Sequence, residues 1–254
     1  MIRVKNKKTL FLKKILNTFF SPKIQGLFSK TSFDVDQNPS KLKLFYYQIT
    51  SRLWFFPSMY TAKFWKGATK EGDRGYTTFM KIDDIALFLV ENLQRLIDDK
   101  SMPILDIGCN IGRFLNILAK KGCNNLTGID INQLAINDSY SVYPDLVDNA
   151  EMKCDTIQNF LSNAKDNEFD LIYTCGATVE HIHPTFPLVK NLVRVSSKYV
   201  CLFISEVELY VRFWEIEFKR NGFELLLKAP YRYQNHLNYE EKVLYIFINK
   251  DLKS

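Results

Sequence analysis

"ILDIGCNIGRF", residues 104–114, is an apolar run that ends in an acid and then breaks into a loop with glycines at 108 and 112. A glycine loop between an apolar strand and a helix is the usual cradle for a phosphate, because backbone N–H groups and a helix N-terminus favour an anion. Here Asp106 stands directly ahead of the loop, and the spacing is G-x-x-x-G rather than the G-x-G-x-x-G of dinucleotide sites. A carboxylate there would oppose a pyrophosphate. The ligand that suits the loop is cationic and carries no phosphate.

Outward from that loop the chain alternates apolar runs with helical stretches. Ile82, Ile85, Ala86, Leu89, Val90, Leu93, Leu96 and Ile97 mark one face of an amphipathic helix ahead of it. The runs are "PILDI" (103–107), "NLTGID" (125–130), "AEMKC" (150–154), "FDLIYT" (169–174) and "YVCLFI" (199–204). Short apolar strands separated by helices predict a parallel sheet covered on both faces. Two last runs, "GFELLLKAPY" (222–231) and "EKVLYIFINK" (241–250), have only a polar loop between them and predict an antiparallel pair at the sheet edge. The expected fold class is therefore α/β, a doubly wound, mostly parallel seven-stranded sheet with an antiparallel last strand. In such sheets ligands bind outside the carboxyl ends of the strands, which directs attention to Asp106 and to Asp130 at the end of "LTGID".

Composition frames this reading. The 254 residues are 46% hydrophobic and 14% aromatic, enough to bury a core without metal or disulfide. Five scattered cysteines with no C-x-x-C pair point to reduced thiols, as in a cytoplasm, and away from zinc. The net charge of +6 is local: residues 1–30 hold eight of the 34 basic residues and no acid, leaving 26 against 28 acidic residues elsewhere. Within that arm "TLFLKKILNTFF" (9–20) has the spacing of a basic amphipathic helix, too short and too charged to span a bilayer. It is expected either to lie on an anionic membrane surface or to pack over the domain with its lysines in water. The division expected is a basic, aromatic-rich helical arm and cap over residues 1–78 and a ligand-binding domain over 79–254.

"DIGCNIG" (106–112) resembles the first motif of the class I S-adenosyl-L-methionine-dependent methyltransferases, an acid followed by a glycine loop. S-adenosyl-L-methionine carries an ammonium and a sulfonium and no phosphate, which suits the acid at the loop. Asn110 stands in place of the usual middle glycine, and asparagine tolerates positive φ better than other side chains. The resemblance implies that Gly108, Asn110 and Gly112 let the backbone approach the cofactor, that Asp106 serves its amino end, and that Asp130, with Ile131 beside it, takes the ribose hydroxyls. Asp130 follows Asp106 by 24 residues, the length of one strand–helix–strand unit. It further implies Asp155 and Thr156 at the adenine amino group, with Thr174, Cys175 and Gly176 lining the loop after the fourth strand. Asp155 would otherwise cap the helix that follows, and Cys175 would be a packed thiol.

The acceptor is sought in "FDLIYTCGATVEHIHP" (169–184). Neither the N/D-P-P-Y/F motif of exocyclic-amine DNA methyltransferases nor the Pro-Cys nucleophile of cytosine C5 enzymes occurs there, so no specific nucleic acid is expected. Two of the chain's three histidines, His181 and His183, fall in this stretch. If the acceptor is a hydroxyl, a base must take its proton, and histidine suits that role near neutral pH. Glu180 and Glu206 are rival carboxylates. Three segments, "KFWKGATKEGDRGYT" (63–77), "GATVEHIHP" (176–184) and "ELYVRFWEIEFKRNGFELL" (208–226), are similar to the methylases of bacterial nonulosonate and surface-polysaccharide clusters. This narrower resemblance implies a small-molecule or carbohydrate acceptor and an entry segment closing over the cofactor, with Trp65, Arg74 and Tyr76 as candidates and Arg74 at the methionine carboxylate. One rival use of the fold stays open at this point, a cofactor-binding domain without transferase activity that serves as a partner subunit or membrane-tethered scaffold; aminopropyl transfer would need an acidic acceptor pocket that the sequence does not offer.

Overall fold

The computed structural model describes residues 66–67, 69–71, 75–176, 179–182, 185–205, 212–234 and 239–252, all within a unit spanning Gln37–Ser254. The basic arm and most of the expected cap over 1–78 lie outside the described residues.

The order of elements follows the alternation read from the sequence. Helix α1 (Asp84–Gln94) is capped by Asp83, whose carboxylate accepts from the Ala86 N–H at 2.9 Å, and it buries Ala86, Leu89, Val90 and Leu93. Strand β1 (Ile104–Ile107) is buried throughout and leads into α2 (Arg113–Lys120). Then come β2 (Leu126–Asp130), α3 (Gln133–Val142), β3 (Ala150–Cys154), α4 (Ile157–Asn163) and β4 (Phe169–Cys175). Helix α5 (Leu188–Val195) precedes β5 (Ser196–Ser205), and α6 (Trp214–Arg220) precedes the last pair, β6 (Phe223–Gln234) and β7 (Tyr239–Asn249).

The strands form one seven-stranded sheet in the order β3-β2-β1-β4-β5-β7-β6. Strands β1 to β5 are parallel, while β7 runs antiparallel to both β5 and β6. The expected antiparallel pair is present, but β7 is inserted beside β5 and β6 takes the edge. Alternating side chains build two cores. On one face Ile104, Leu171, Tyr173, Cys201, Phe203 and Leu244 pack with Leu89, Leu93, Leu115 and Leu118 of α1 and α2. On the other, Leu105, Ile172, Leu202 and Phe247 pack with residues of α4, α5 and α6 such as Leu161, Leu192 and Trp214. That double burial is why these strands read as continuous apolar runs.

The strand order reverses at β1, whose neighbours are β2 on one side and β4 on the other. At such a switch point the loops diverge and leave a crevice above the carboxyl ends. The register sets Asp106 opposite Gly128 of β2 and Tyr173 of β4. Among the described residues no helix is long and apolar enough to cross a membrane.

Candidate cofactor and acceptor site

The loop after β1 is held by its neighbours' backbone. The N–H groups of Gly108 and Cys109 both donate to the Ile129 carbonyl, at 2.8 and 3.0 Å. The chain then turns through three residues of positive φ, Gly108 (76°), Asn110 (51°) and Gly112 (87°), so Asn110 adopts the left-handed conformation expected of it. Its side-chain oxygen accepts from the Ile111 N–H at 2.8 Å and braces the turn. At Gly112 the left-handed φ requires glycine, and a Cβ would also press on Leu146 Cδ1 at 2.9 Å.

Asp130 locks this loop to the next strand. One carboxylate oxygen accepts from the Asn110 N–H at 2.9 Å and the other from the Asn132 N–H at 2.8 Å. Burial raises its pKa above the ordinary carboxylate value, opposed by those backbone N–H groups. Ile131 follows, half-buried. Asn132 caps α3 through the N–H groups of Leu134 and Ala135.

Asp106 is the deepest charge-bearing group of the site, 1% exposed. The Tyr173 hydroxyl donates to its Oδ2 at 2.9 Å, and Oδ1 is buried with no hydrogen-bond partner. Burial pushes this carboxyl up to about 8; the Tyr173 hydrogen bond opposes the shift, Asp130 adds to it, and the Arg113 guanidinium opposes it. The Tyr173 hydroxyl is itself raised by burial and by Asp106.

After β3, Asp155 donates its N–H to the Asp130 carbonyl at 3.0 Å, which joins the third loop to the second. Its carboxylate accepts from the Thr156 N–H at 2.7 Å and the Asn159 side chain at 2.8 Å. The cap of α4 is Thr156, whose hydroxyl accepts from the Asn159 N–H at 3.2 Å. Both residues therefore brace the start of α4 at the place expected to meet an adenine.

β4 runs one residue past the expected 169–174, through Cys175, so Cys175 belongs to the sheet and not to the loop after it; Thr174 is the penultimate residue of β4, and its buried hydroxyl donates to the Ile107 carbonyl at 2.9 Å. The loop begins at Gly176, whose φ is 93°. Burial pushes the Cys175 thiol up to about 11, which makes it a packed thiol rather than a nucleophile. Glu180, 2% exposed, sits in a short 3-10 turn, Val179–His181. His181 ends that turn; its side chain, His183, Glu206, Trp65 and Arg74 lie outside the described residues.

Two participants, Tyr173 and Arg113, were not anticipated from the sequence. Tyr173 lies one strand over from Asp106, a relation only the register reveals. Arg113, first residue of α2, has a side chain 11% exposed, donates to the Lys81 carbonyl, and pairs with Asp83 at 3.5 Å while its Nε is buried without a partner. Its position immediately after the glycine loop was the available signal. Tyr76, expected in an entry segment, is fully buried against Ile111 and Ala135, and its hydroxyl donates to Asp138 of α3. Among the described residues no group of three His, Cys, Asp or Glu side chains could hold a metal ion.

An acid at β1, an acid at β2 and a left-handed loop between them suit a ligand with an ammonium and a diol. Residues 104–198, under half of the chain, match the model of a family described as "Methyltransferase domain". The fold is that of the S-adenosyl-L-methionine-dependent methyltransferases. Magnesium protoporphyrin IX methyltransferase from Synechocystis PCC 6803, solved with the cofactor bound, is similar over 80% of this chain and 96% of its own, with 13% identity and a TM-score of 0.52. A candidate RNA methyltransferase from Pyrococcus horikoshii is similar over 74% of this chain and 96% of its own, with 13% identity and a TM-score of 0.55. The cyclase SpnF is similar over 64% of this chain and 80% of its own, with 11% identity and a TM-score of 0.52. Comparison of the sequence with curated proteins finds no match. The family match and the fold support S-adenosyl-L-methionine as the cofactor, and the cyclase shows that such a fold does not fix the reaction.

Proposed function

We propose that the protein transfers a methyl group from S-adenosyl-L-methionine to a hydroxyl or amine of a small molecule, sugar or surface-glycan intermediate. The observation that carries the reading is the unpartnered, buried Oδ1 of Asp106 at the carboxyl end of β1. A buried polar atom without a partner is costly, and an ammonium is the donor that would satisfy it.

Asp106 would hold the amino end of the cofactor and Asp130 the ribose hydroxyls, with Asp155 and Thr156 near the adenine. The bound cofactor supplies a methyl group on an activated sulfonium, so that a C–O or C–N bond to the acceptor forms as the C–S bond breaks. What remains for the chain is to orient the acceptor in line and, for a hydroxyl, to take up its proton. Glu180 and His181 follow β4, at the end of the sheet where the acceptor would approach, His183 comes two residues later in the sequence, and His181 is the favoured base. The similarity of residues 63–77, 176–184 and 208–226 to polysaccharide-cluster methylases favours a carbohydrate acceptor.

Calorimetry with S-adenosyl-L-homocysteine, followed by transfer of labelled methyl groups into pools of sugar and lipid intermediates, tests both halves. Tight binding of NADH with none of the methyl donor or its product would overturn the reading.

A further inference from the structure

We propose that Tyr173 is a positioning residue for the amino end of the cofactor, and that the Asp106–Tyr173 pair makes cofactor binding release a proton. The inference rests on the cofactor reading above. It stands first on geometry. Asp106 and Tyr173 are cross-strand partners on β1 and β4, both essentially excluded from water, and one 2.9 Å hydrogen bond fixes Oδ2. With Oδ2 held, Oδ1 is the acid's remaining acceptor, and it is the atom without a partner. A phenol that donates to one oxygen stabilises the ionised carboxylate and sets the plane in which the other meets a donor.

The groups facing Asp106 are Tyr173 and Cys175 from β4, Asp130 from the end of β2, Cys109 from the loop and Arg113 from α2. Burial dominates among them, so the carboxyl keeps its proton up to about pH 8 when no ligand is present. An ammonium at Oδ1 requires the carboxylate. On binding, the O–H bond of Asp106 breaks, its proton goes to solvent, and the carboxylate pairs with the cation. Binding therefore tightens as pH rises toward 8 and weakens again where the ligand's own ammonium loses its proton.

The test is calorimetric titration of S-adenosyl-L-homocysteine between pH 6 and 9, in buffers of different ionisation enthalpy, with wild type, Tyr173→Phe and Asp106→Asn. Wild-type affinity is expected to rise by up to about tenfold per pH unit below 8, with release approaching one proton per site near pH 6–7. Tyr173→Phe removes the donor that favours the carboxylate. Its rising limb moves to higher pH, with binding weakened roughly tenfold or more at pH 7 and approaching wild type near pH 9. Asp106→Asn lacks the limb and the proton release. A purely structural tyrosine would lower the melting temperature of Tyr173→Phe and leave the wild-type pH profile in place, which overturns the proposal. A flat wild-type profile overturns it as well. No binding by wild type at any pH defeats the cofactor reading instead.

Discussion

The backbone N–H of Asn110 donates to Asp130 Oδ2 at 2.9 Å, so the glycine loop after β1 and the acid that ends β2 form one unit. Replacing Asp130 by alanine removes the proposed ribose acceptors and also this brace and the bond to the Asn132 N–H. Binding of S-adenosyl-L-homocysteine is expected to weaken by roughly 10–100-fold, equivalent to about 1.5–3 kcal/mol for hydrogen bonds to a charged group. Asp130→Asn, which keeps one acceptor oxygen, should fall between. Calorimetry showing wild-type affinity in Asp130→Ala would remove Asp130 from the site.

Without ligand, Asp106 shapes stability against pH. Its carboxyl ordinarily titrates near 3.8 and in the fold is pushed up to about 8. Between those values the native state holds a proton that the unfolded chain has lost, so stability falls as pH rises and becomes flat above 8. The slope from this group is at most about 1.4 kcal/mol per pH unit. Thermal melts of the ligand-free protein at pH 5–8.5 should show wild type declining relative to Asp106→Asn. Parallel curves would mean that Asp106 is ionised in the ligand-free fold.

Cys154 offers a footprint of the ligand. It is the exposed thiol at the end of β3, paired in register with Asp130, and its Sγ lies 3.7 Å from the Ile131 carbonyl. Cys109 and Cys201 are buried and, with Cys175, held protonated by burial. Among these four, alkylation at neutral pH should mark Cys154 first, and saturating S-adenosyl-L-homocysteine should slow it. Labelling of Cys154 indifferent to ligand would place the nucleoside elsewhere.

His181 carries the riskiest prediction. If it takes the proton of an acceptor hydroxyl, His181→Ala should lower the rate about 10²–10⁴-fold with cofactor affinity nearly unchanged. His183→Ala and Glu180→Gln should cost less. Equal, small losses in all three would mean that positioning alone drives transfer.

The basic arm is tested by deletion. Removing residues 1–30 should leave cofactor binding intact and release the protein from anionic vesicles at low salt. Full-length protein that ignores such vesicles would make the arm a cap.

The central strands were legible because burial on both faces writes continuous apolar runs, and Asp106 and Asp130 because each is an acid at the carboxyl end of such a run. Strand order was not. Nothing local tells β7 to enter beside β5, since that choice lies in long-range pairing such as Phe203 with Leu244. Tyr173 escaped notice for the same reason, as its partner lies 67 residues away. The end of β4 was read one residue short because an apolar run does not say where a strand stops; pairing of Cys175 with Phe203 extends it past Thr174. Arg113 was overlooked because its partners, Lys81 and Asp83, come from the turn before α1.

The insertion of β7 fixes the order in which the sheet can be completed. β6 precedes it in the chain but pairs by backbone hydrogen bonds with the sheet only through it. As the chain emerges during synthesis, β6 must wait, unpaired, until residues 239–249 arrive to fill the gap beside β5. A premature stop within β7 would leave two open edges at once, β5 and a stranded β6, both rich in apolar residues. Such a fragment is expected to pair with other copies and aggregate rather than survive as a smaller domain.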